Sequence, residues 1–479
     1  MWGMATAIMR PTIPDWLEEL AQRLAANDPS FTTLEITHQR MDDSMARYLA
    51  QALEENHTVH IFIVSLFSIV DDGALAIAAM LVANKTIEKL QFRDVRNSRE
   101  ATLLFSAIAK SETITEFSLR HSYLCSTSVA ALSNMILNHP SIRELRLVDT
   151  QLARESIGTL AKGLAKNKVL NRLYLVNNEL GTSGAIAIGS MLRKNTGIQE
   201  IYICENEIGD EGTNSICQGL INNNTVQIVD FRANYIGTEG ALSISALLKV
   251  STAIKQLFLN NNDLGDVGAS SIAASLATNT VLEKLSLSDN DISAVGTESL
   301  AAMLRTNKGL QDLNLAFNQI GDDGATSLAD VLETNTALTG LSIRRNKIGN
   351  IGAHSFANSL PSMRGLKELV MITNTFDQDG AVKLLTGLRY NLDLEYLMVE
   401  EKCCSPVVLH EMAHWIKLNR AGRKIFRETN LDQRSWSRVL AKPLINRDLD
   451  VLFHFLIEKP EVFQQPKKRK LGKVTVEFE

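Results

Sequence analysis

The sequence predicts an α/β fold, a horseshoe-like solenoid of about fourteen 28-residue βα units closed by helical caps, and three observations predict it. An apolar register returns every 28 residues over most of the chain. Each return opens with apolar residues two apart and continues with apolar residues three and four apart, which is a strand followed by a helix. The composition suits a large aliphatic core, since 45% of residues are apolar and 22% charged, yet only 16 Phe, 7 Tyr and 4 Trp occur among 479.

The register stands openly in LNRLYLVNNELG, IQEIYICENEIG, LEKLSLSDNDIS, LQDLNLAFNQIG and LTGLSIRRNKIG. Anchored on the first apolar position, units start at Phe31, Val59, Ile87, Ile114, Ile142, Leu170, Ile198, Val226, Ile254, Leu282, Leu310, Leu338, Leu366 and Leu394, with twelve intervals of 28 and one of 27. Leu173 and Leu175, Ile201 and Ile203, and Leu285 and Leu287 give the period of two that buries one face of a strand. Gly324, Ala325, Leu328, Ala329 and Leu332 then share one face of a helix of about three turns.

Two asparagines recur. Three residues before the next anchor, nine of thirteen junctions carry Asn56, Asn84, Asn167, Asn195, Asn223, Asn279, Asn307, Asn335 or Asn391. Asparagine tolerates the left-handed conformation, so it is predicted to end each helix there, and the sequons at Asn56, Asn84 and Asn223 are by-products of that turn. The second set, Asn178, Asn206, Asn234, Asn262, Asn290, Asn318, Asn346 and Asn374, is predicted to form a ladder whose amides satisfy backbone groups where the chain turns inward. Gln39, Phe67, Val95, Ser122 and Thr150 hold that place in the first five units and Lys402 in the last, so the N-terminal third is expected to turn less regularly. No unit can bury its apolar face alone, so stacking supplies one core, with parallel strands concave and helices convex.

The period and the N-x-x-G-x-x-G-A-x-x-L-A-x-x-L signature resemble the ribonuclease-inhibitor-like subfamily of leucine-rich repeats, whose repeats are similar to those of NOD-like receptors, over residues 31 to about 402. The resemblance implies a non-enzymatic scaffold or adaptor that binds a partner protein on its concave face. Similar scaffolds also serve as inhibitors, receptors and activators of small GTPases, so the resemblance implies a fold more than an activity. Ribonuclease inhibitor is rich in Cys where this chain has five, and NOD-like receptors carry a nucleotide-binding module where this chain has no G-x-x-x-x-G-K-[ST] loop. GTPase activators of the Ran type, the alternative reading, resemble the solenoid but carry an acidic tail where this one is basic.

The chain is expected to divide into residues 1–30, an N-terminal segment with a capping helix; 31–402, the solenoid; 403–463, a helical cap; and 464–479, a basic disordered tail. Trp16, Leu17, Leu20 and Leu24 share a face of the first helix. Past the repeats, helices are predicted over 406–428 (Val408, Met412, Trp415, Ile416), Ser435–Leu440 and Asp448–Ile457, the last turning Leu449, Leu452, Phe453 and Leu456 inward. The five Cys follow no disulfide spacing, the N-terminus lacks the pattern of a secretory leader, and no run of 18 apolar residues would span a membrane. A cytoplasmic protein without a cofactor is expected, and Lys467, Lys468, Arg469 and Lys470 resemble a signal for a nuclear-import receptor.

His410-Glu411-Met412-Ala413-His414 fits the H-E-x-x-H pattern, which on a helix offers two zinc ligands at i and i+4 and a general base. A zinc metallohydrolase through His410 and His414 would need a third ligand from Glu428, Asp432 or His454; the other reading is surface histidines on a capping helix whose Met412 and Trp415 pack inward. On the concave face, side chains between the strand apolars point outward and are free of folding duty. There Tyr174, Tyr202, Asp230 and Phe258 follow one another, with Arg232, Phe317 and Arg344 in neighbouring lanes, and these seven form the predicted partner site because Tyr, Phe and Arg dominate interface hot spots. Residues 1–402 carry 34 basic against 45 acidic residues, a net of −11, and 403–479 carry 15 against 9, a net of +6. The acidic excess predicts a neutral or basic partner for the arc and argues against nucleic acid.

Overall fold

The structure, a computed structural model, describes residues 13–152, 156–424 and 448–458 and divides at Ile320 and Gly321 into two compact units. In the first unit the described residues form eleven parallel strands in sequence order: Thr33–Ile36, Ile61–Ser65, Lys89–Arg93, Glu116–Arg120, Glu144–Val148, Arg172–Val176, Glu200–Tyr202, Ile228–Asp230, Gln256–Phe258, Lys284–Ser286 and Asp312–Asn314. Neighbours pair one repeat apart, Leu173 against Ile201 and Ile201 against Val229. A helix follows each of the first ten strands, from Asp43–Glu54 to Ala294–Thr306. The second unit has the parallel strands Gly340–Ser342, Glu368–Val370 and Tyr396–Met398, alternating with helices Gly321–Leu332, Asn350–Ser359 and Gln378–Leu388. Fourteen strands, one for each anchor, make the chain the α/β solenoid that its period predicts.

The register is held by burial. Every anchor from Val59 to Leu394 is 0–2% exposed, and each buried aliphatic side chain contributes about 2 kcal/mol relative to exposure. A slip by one residue would turn that whole set outward. Phe31 has no unit before it and lies half-exposed beneath the Arg23 guanidinium, 4.3 Å from its ring centre. In the preceding helix, Asp15–Ala25, Leu17, Ala21 and Leu24 are buried while Trp16 and Leu20 are only partly covered.

The second asparagine does form a ladder. Asn206 Nδ2 donates to the carbonyls of Leu175, Ile203 and Cys204, and its Oδ1 accepts the N–H of Asn178 at 3.0 Å. Asn234, Asn262 and Asn318 repeat this, donating 31 residues back at 2.9–3.1 Å. Backbone at positive φ flanks the ladder, as at Glu205 (58°) and Glu207 (55°), or Asp289 (57°) and Asp291 (53°). Such residues cost about 1 kcal/mol each, which the side-chain amide between them offsets.

The N-terminal third turns differently from the rest, as its missing asparagines predict, with single residues at positive φ at Asp94 and His121 where several later repeats have pairs. Its strands are longer, five residues from Ile61–Ser65 through Arg172–Val176 against three from Glu200–Tyr202 onward, and hydroxyls deputise for the amide. Ser122 Oγ accepts from Val95 N–H at 3.1 Å and donates to Arg120 O at 2.9 Å; Thr150 Oγ1 donates to Asn178 Oδ1 at 2.6 Å. Aromatic rings join the aliphatic core there, with Phe117 edge-on to Phe92 and to Phe105 at 6.0 Å.

The left-handed reading of the helix-end asparagines is corrected. Asn84 and Asn307 have φ of −64° and −69°, so neither is left-handed. Each works as a staple between repeats: Asn195 Nδ2 donates to Leu164 O (2.7 Å) and Asn167 O (3.0 Å), and its Oδ1 accepts from Gly197 and Ile198 N–H (2.9 and 2.8 Å). His139 stands in this row as an imidazole copy of the amide. Its Nε2 lies 3.0 Å from Ile108 O and its Nδ1 3.2 Å from Ile142 N. A carbonyl only accepts and an amide N–H only donates, so the ring is neutral with its proton on Nε2.

Burial holds the His139 pKa below the usual value, against the pull of the Ile108 carbonyl. As pH falls through about 6.5, the unfolded chain takes up a proton that the folded chain refuses. The unfolded state then binds more protons, so the His139 contribution is complete above that pH and is lost on acidification. The urea midpoint is expected to fall from pH 7.5 to pH 5.5 more steeply in wild type than in His139→Asn. Equal slopes in the two proteins would show that this ring is protonated when folded.

In the second unit the last anchor is covered by helix Pro406–Arg420, which buries Val408, Met412 and Ile416 and donates Asn419 Nδ2 to Leu394 O at 2.9 Å. Proline at the first helical position sets the entry. Helix Leu449–Glu458 packs on it through Val451 and Phe455, both 0% exposed against Leu418, Trp415 and Ala421. Its inward face is therefore set by Val451 and Phe455, with Leu452 only partly buried. The side chains of Leu449, Phe453 and Leu456, and the segments holding Ser435–Leu440, Glu428, Asp432 and the basic Lys467–Lys470, lie outside the described residues.

Candidate functional site

Strand pairing decides which outward side chains meet. Arg146, Tyr174, Tyr202, Asp230 and Phe258 occupy one register row across five strands of the first unit. Tyr174 and Tyr202 stack with ring centres 4.2 Å apart and planes 1° from parallel, and the Arg146 guanidinium lies 4.3 Å from the Tyr174 ring centre. Strand spacing of about 4.8 Å brings residues one repeat apart to stacking distance without further design.

The row is braced by carboxylates two residues away on the same face. Glu144, 1% exposed, pairs with Arg146 and with Arg172 Nε at 2.9 Å. Tyr202 donates its hydroxyl to Glu200 Oε2 at 2.9 Å. Burial first, then the Glu200 carboxylate, pushes the Tyr202 phenol above its ordinary range, so both rings stay neutral donors at physiological pH. Burial raises Tyr174 as well.

Asp230 is 1% exposed, so it does not present itself to a partner as predicted. It presents Arg232 instead, accepting Arg232 Nε on both carboxylate oxygens at 2.9 Å, and it receives the Cys204 thiol at 3.3 Å. Burial and Asp230 push that thiol up to about 12, which leaves it unreactive. Phe258 is half-buried at the end of the row, and Phe317, 37% exposed, projects from a residue at φ 58°. Arg344 belongs to the second unit, exposed just past strand Gly340–Ser342.

A second group, outside the seven predicted partner residues, adjoins the tyrosines. Arg93 pairs with Arg120 across adjacent strands, and Ser118 with Arg146 across the next. Arg120, Ser118 and Arg146 line a cleft of about 190 Å³ together with Ile61, Leu90 and Phe117 and the charged Lys89, Glu116 and Glu144. Burial, with Arg93 and Arg146 beside it, lowers the Arg120 pKa. The sequence signal was present as Arg at positions 27 residues apart, across the single short repeat interval, but the net acidity of residues 1–402 masked it.

The H-E-x-x-H segment lies in the second unit. Glu411, the general base in the zinc reading, is committed to Arg389 through an ion pair. The His414 ring packs edge-on against Trp415 and His454 at 5.7 and 5.5 Å, and its Nδ1 is 3.9 Å from Asp450. Burial and the neighbouring His454 lower its pKa. Among the described residues no group of three or more His, Cys, Asp and Glu is placed to hold a metal ion. The described cysteines Cys125, Cys204, Cys217, Cys403 and Cys404 are all free thiols.

Of the comparisons with known proteins, a family model agrees with the repeat period. The family described as Leucine Rich repeat matches residues 166–189, 250–273, 278–301 and 306–329, whose starts lie 84, 28 and 28 residues apart and so fall on the 28-residue period. No curated protein matches the sequence. Among solved structures the chain is similar to Leiomodin-1 Actin-Binding Site 2 (ABS2), at 16% identity over 39% of this chain and 91% of that one, with a TM-score of 0.29. No described helix is long and apolar enough to cross a membrane.

Proposed function

We propose that this leucine-rich-repeat protein is a non-enzymatic interaction scaffold, with repeats of the ribonuclease-inhibitor-like kind, that binds a partner protein on the strand face of its first unit. The observation that carries the reading is the Arg146–Tyr174–Tyr202 stack. Three residues of hot-spot type, one Arg and two Tyr, stand in van der Waals contact, anchored by Glu144 and Glu200, with their outer surfaces open. Side chains already held in one rotamer lose little entropy on binding, where a flexible side chain would lose about 0.5–1.5 kcal/mol. Phe258 and the Asp230-braced Arg232 extend the surface along the same row.

The test is capture of partners by wild type and by the Tyr174→Ala, Tyr202→Ala, Phe258→Ala triple variant, with quantitative mass spectrometry. The variant is expected to lose at least tenfold of the specific partner while keeping its circular dichroism spectrum. Undiminished recovery of every partner would place the binding surface elsewhere.

A further inference from the structure

We propose that Arg93, Arg120 and Arg146 form a subsite on the strand face that receives the oxyanion side chains of an acidic peptide segment, carboxylate or phosphorylated, of the partner protein. The proposal rests on the strand face being the binding surface and adds the chemistry of what docks there.

The geometry points to an anion in three ways. First, Arg120 and Arg146 line one cleft and Arg93 stands in register beside Arg120 on the preceding strand, while of the two carboxylates in the cleft Glu116 is taken by Lys89 at 2.9 Å and Glu144 by Arg146 and Arg172. The counter-charge of the three arginines is incomplete: Arg146 shares Glu144 with Arg172, and Arg93 reaches Glu35 only at 4.0 Å. Arg120 has no acidic partner within ion-pair distance among the described residues, and its charged neighbours are Arg93 and Arg146. Second, the Arg93 Nε, Arg120 Nε and Ser118 Oγ atoms are buried with no hydrogen-bond partner among the described residues. Guanidinium nitrogen only donates, so these groups call for an acceptor from outside. Third, like-charged guanidiniums repel at this separation, and an oxyanion between them would relieve the repulsion while accepting in the forked geometry that arginine offers.

The dimensions and charge select the ligand class. A cleft of about 190 Å³ admits single side chains. Its Ile61, Leu90 and Phe117 walls suit the methylene stem of a glutamate or the backbone of an extended peptide. The adjoining Tyr174 ring continues that apolar track. Residues 1–402 carry a net charge of −11, which opposes a long polyanion such as nucleic acid but not a short acidic segment that reaches only the local arginines.

The test is fluorescence anisotropy of the full chain with labelled dodecapeptides carrying either four Glu or two phosphoserines, beside a Gln/Ser control peptide and a labelled oligothymidine. Wild type is expected to bind at least one acidic peptide at least tenfold more tightly than the control and the oligonucleotide, with affinity falling as salt rises. The acidic peptide that binds identifies the source of the oxyanion. Arg120→Met, which keeps the side-chain volume and removes a charge facing two others, is expected to fold with an unchanged or higher melting temperature and to weaken binding at least tenfold. Arg93→Met serves if Arg120→Met does not fold, with the same loss expected. Absence of acidic-peptide binding in wild type, equal binding by the arginine variant, or tighter binding of the oligonucleotide would overturn the subsite. A subsite failure accompanied by loss of partner in the tyrosine–phenylalanine triple variant would leave the strand-face reading standing; retention of the partner in that variant would remove both.

Discussion

Asn206→Ala is expected to lower the unfolding free energy by about 4 kcal/mol, because it leaves a buried donor and a buried acceptor without their partner at about 1–3 kcal/mol each and adds a small void. Asn206 is 0% exposed, and its amide serves the Leu175 carbonyl and the Asn178 N–H across two repeats. The carbonyls of Ile203 and Cys204 keep donors from Asn234 and Asn177, so the damage concentrates at the other two groups. Asn206→Asp is expected to be worse at pH 7.5, since it sets a carboxylate oxygen against three carbonyls, and to recover partly on acidification as that carboxyl protonates. Urea unfolding followed by circular dichroism checks both. A loss below about 1 kcal/mol for Asn206→Ala would mean that water replaces the amide and the ladder is ornamental to stability. Coupling in repeat proteins runs between neighbours, so hydrogen exchange should show the loss centred on residues 172–209.

Gly219→Val is expected to cost about 3 kcal/mol by overpacking. Helix Gly209–Leu220 lies so close to helix Gly181–Leu192 that a Cβ on Gly219 would stand 2.2 Å from Gly189 O, and one on Gly189 would stand 2.2 Å from Ser215 O. Both clashes are with backbone, which cannot swing away as a side-chain tip can. The helices must separate, and with them two repeats whose strands carry Tyr174 and Tyr202. Gly158→Ala is the control. Its Cβ would meet nothing within 4 Å in helix Ile157–Leu164, so it is expected to stabilise by about 0.5 kcal/mol through helix propensity. Equal thermal melting of Gly219→Val and wild type would show that the helix layer shifts freely.

How much of this was legible depends on whether a residue answers to its own segment or to a neighbour. The anchors, the strand–helix alternation and the Asn178–Asn374 ladder positions were readable, because a motif repeated along the chain exposes its own period. The helix-end asparagines were seen but misread. Their place beside a helix terminus suggested a left-handed cap, whereas Asn195 reaches carbonyls 31 and 28 residues back. His139 looked like a gap in the asparagine row although its two ring nitrogens reproduce the amide, one donating and one accepting. Of the predicted partner residues, Tyr174 and Tyr202 come together, while Asp230 proves to be a buried brace for Arg232.

The sequence by itself determined the solenoid, its register and its aliphatic anchors, because burial of one face per repeat is a local pattern that stacking merely copies. Only the tertiary structure decided which charges and rings meet. Glu144 pairs with Arg146 and Arg172, Arg120 faces Arg93 and Arg146, and Glu411 is drawn to Arg389. Residues about 28 positions apart become neighbours at strand spacing. A charge total for the chain averages over helices and strands alike, whereas the field at a cleft is set by the few groups within a Debye length of it.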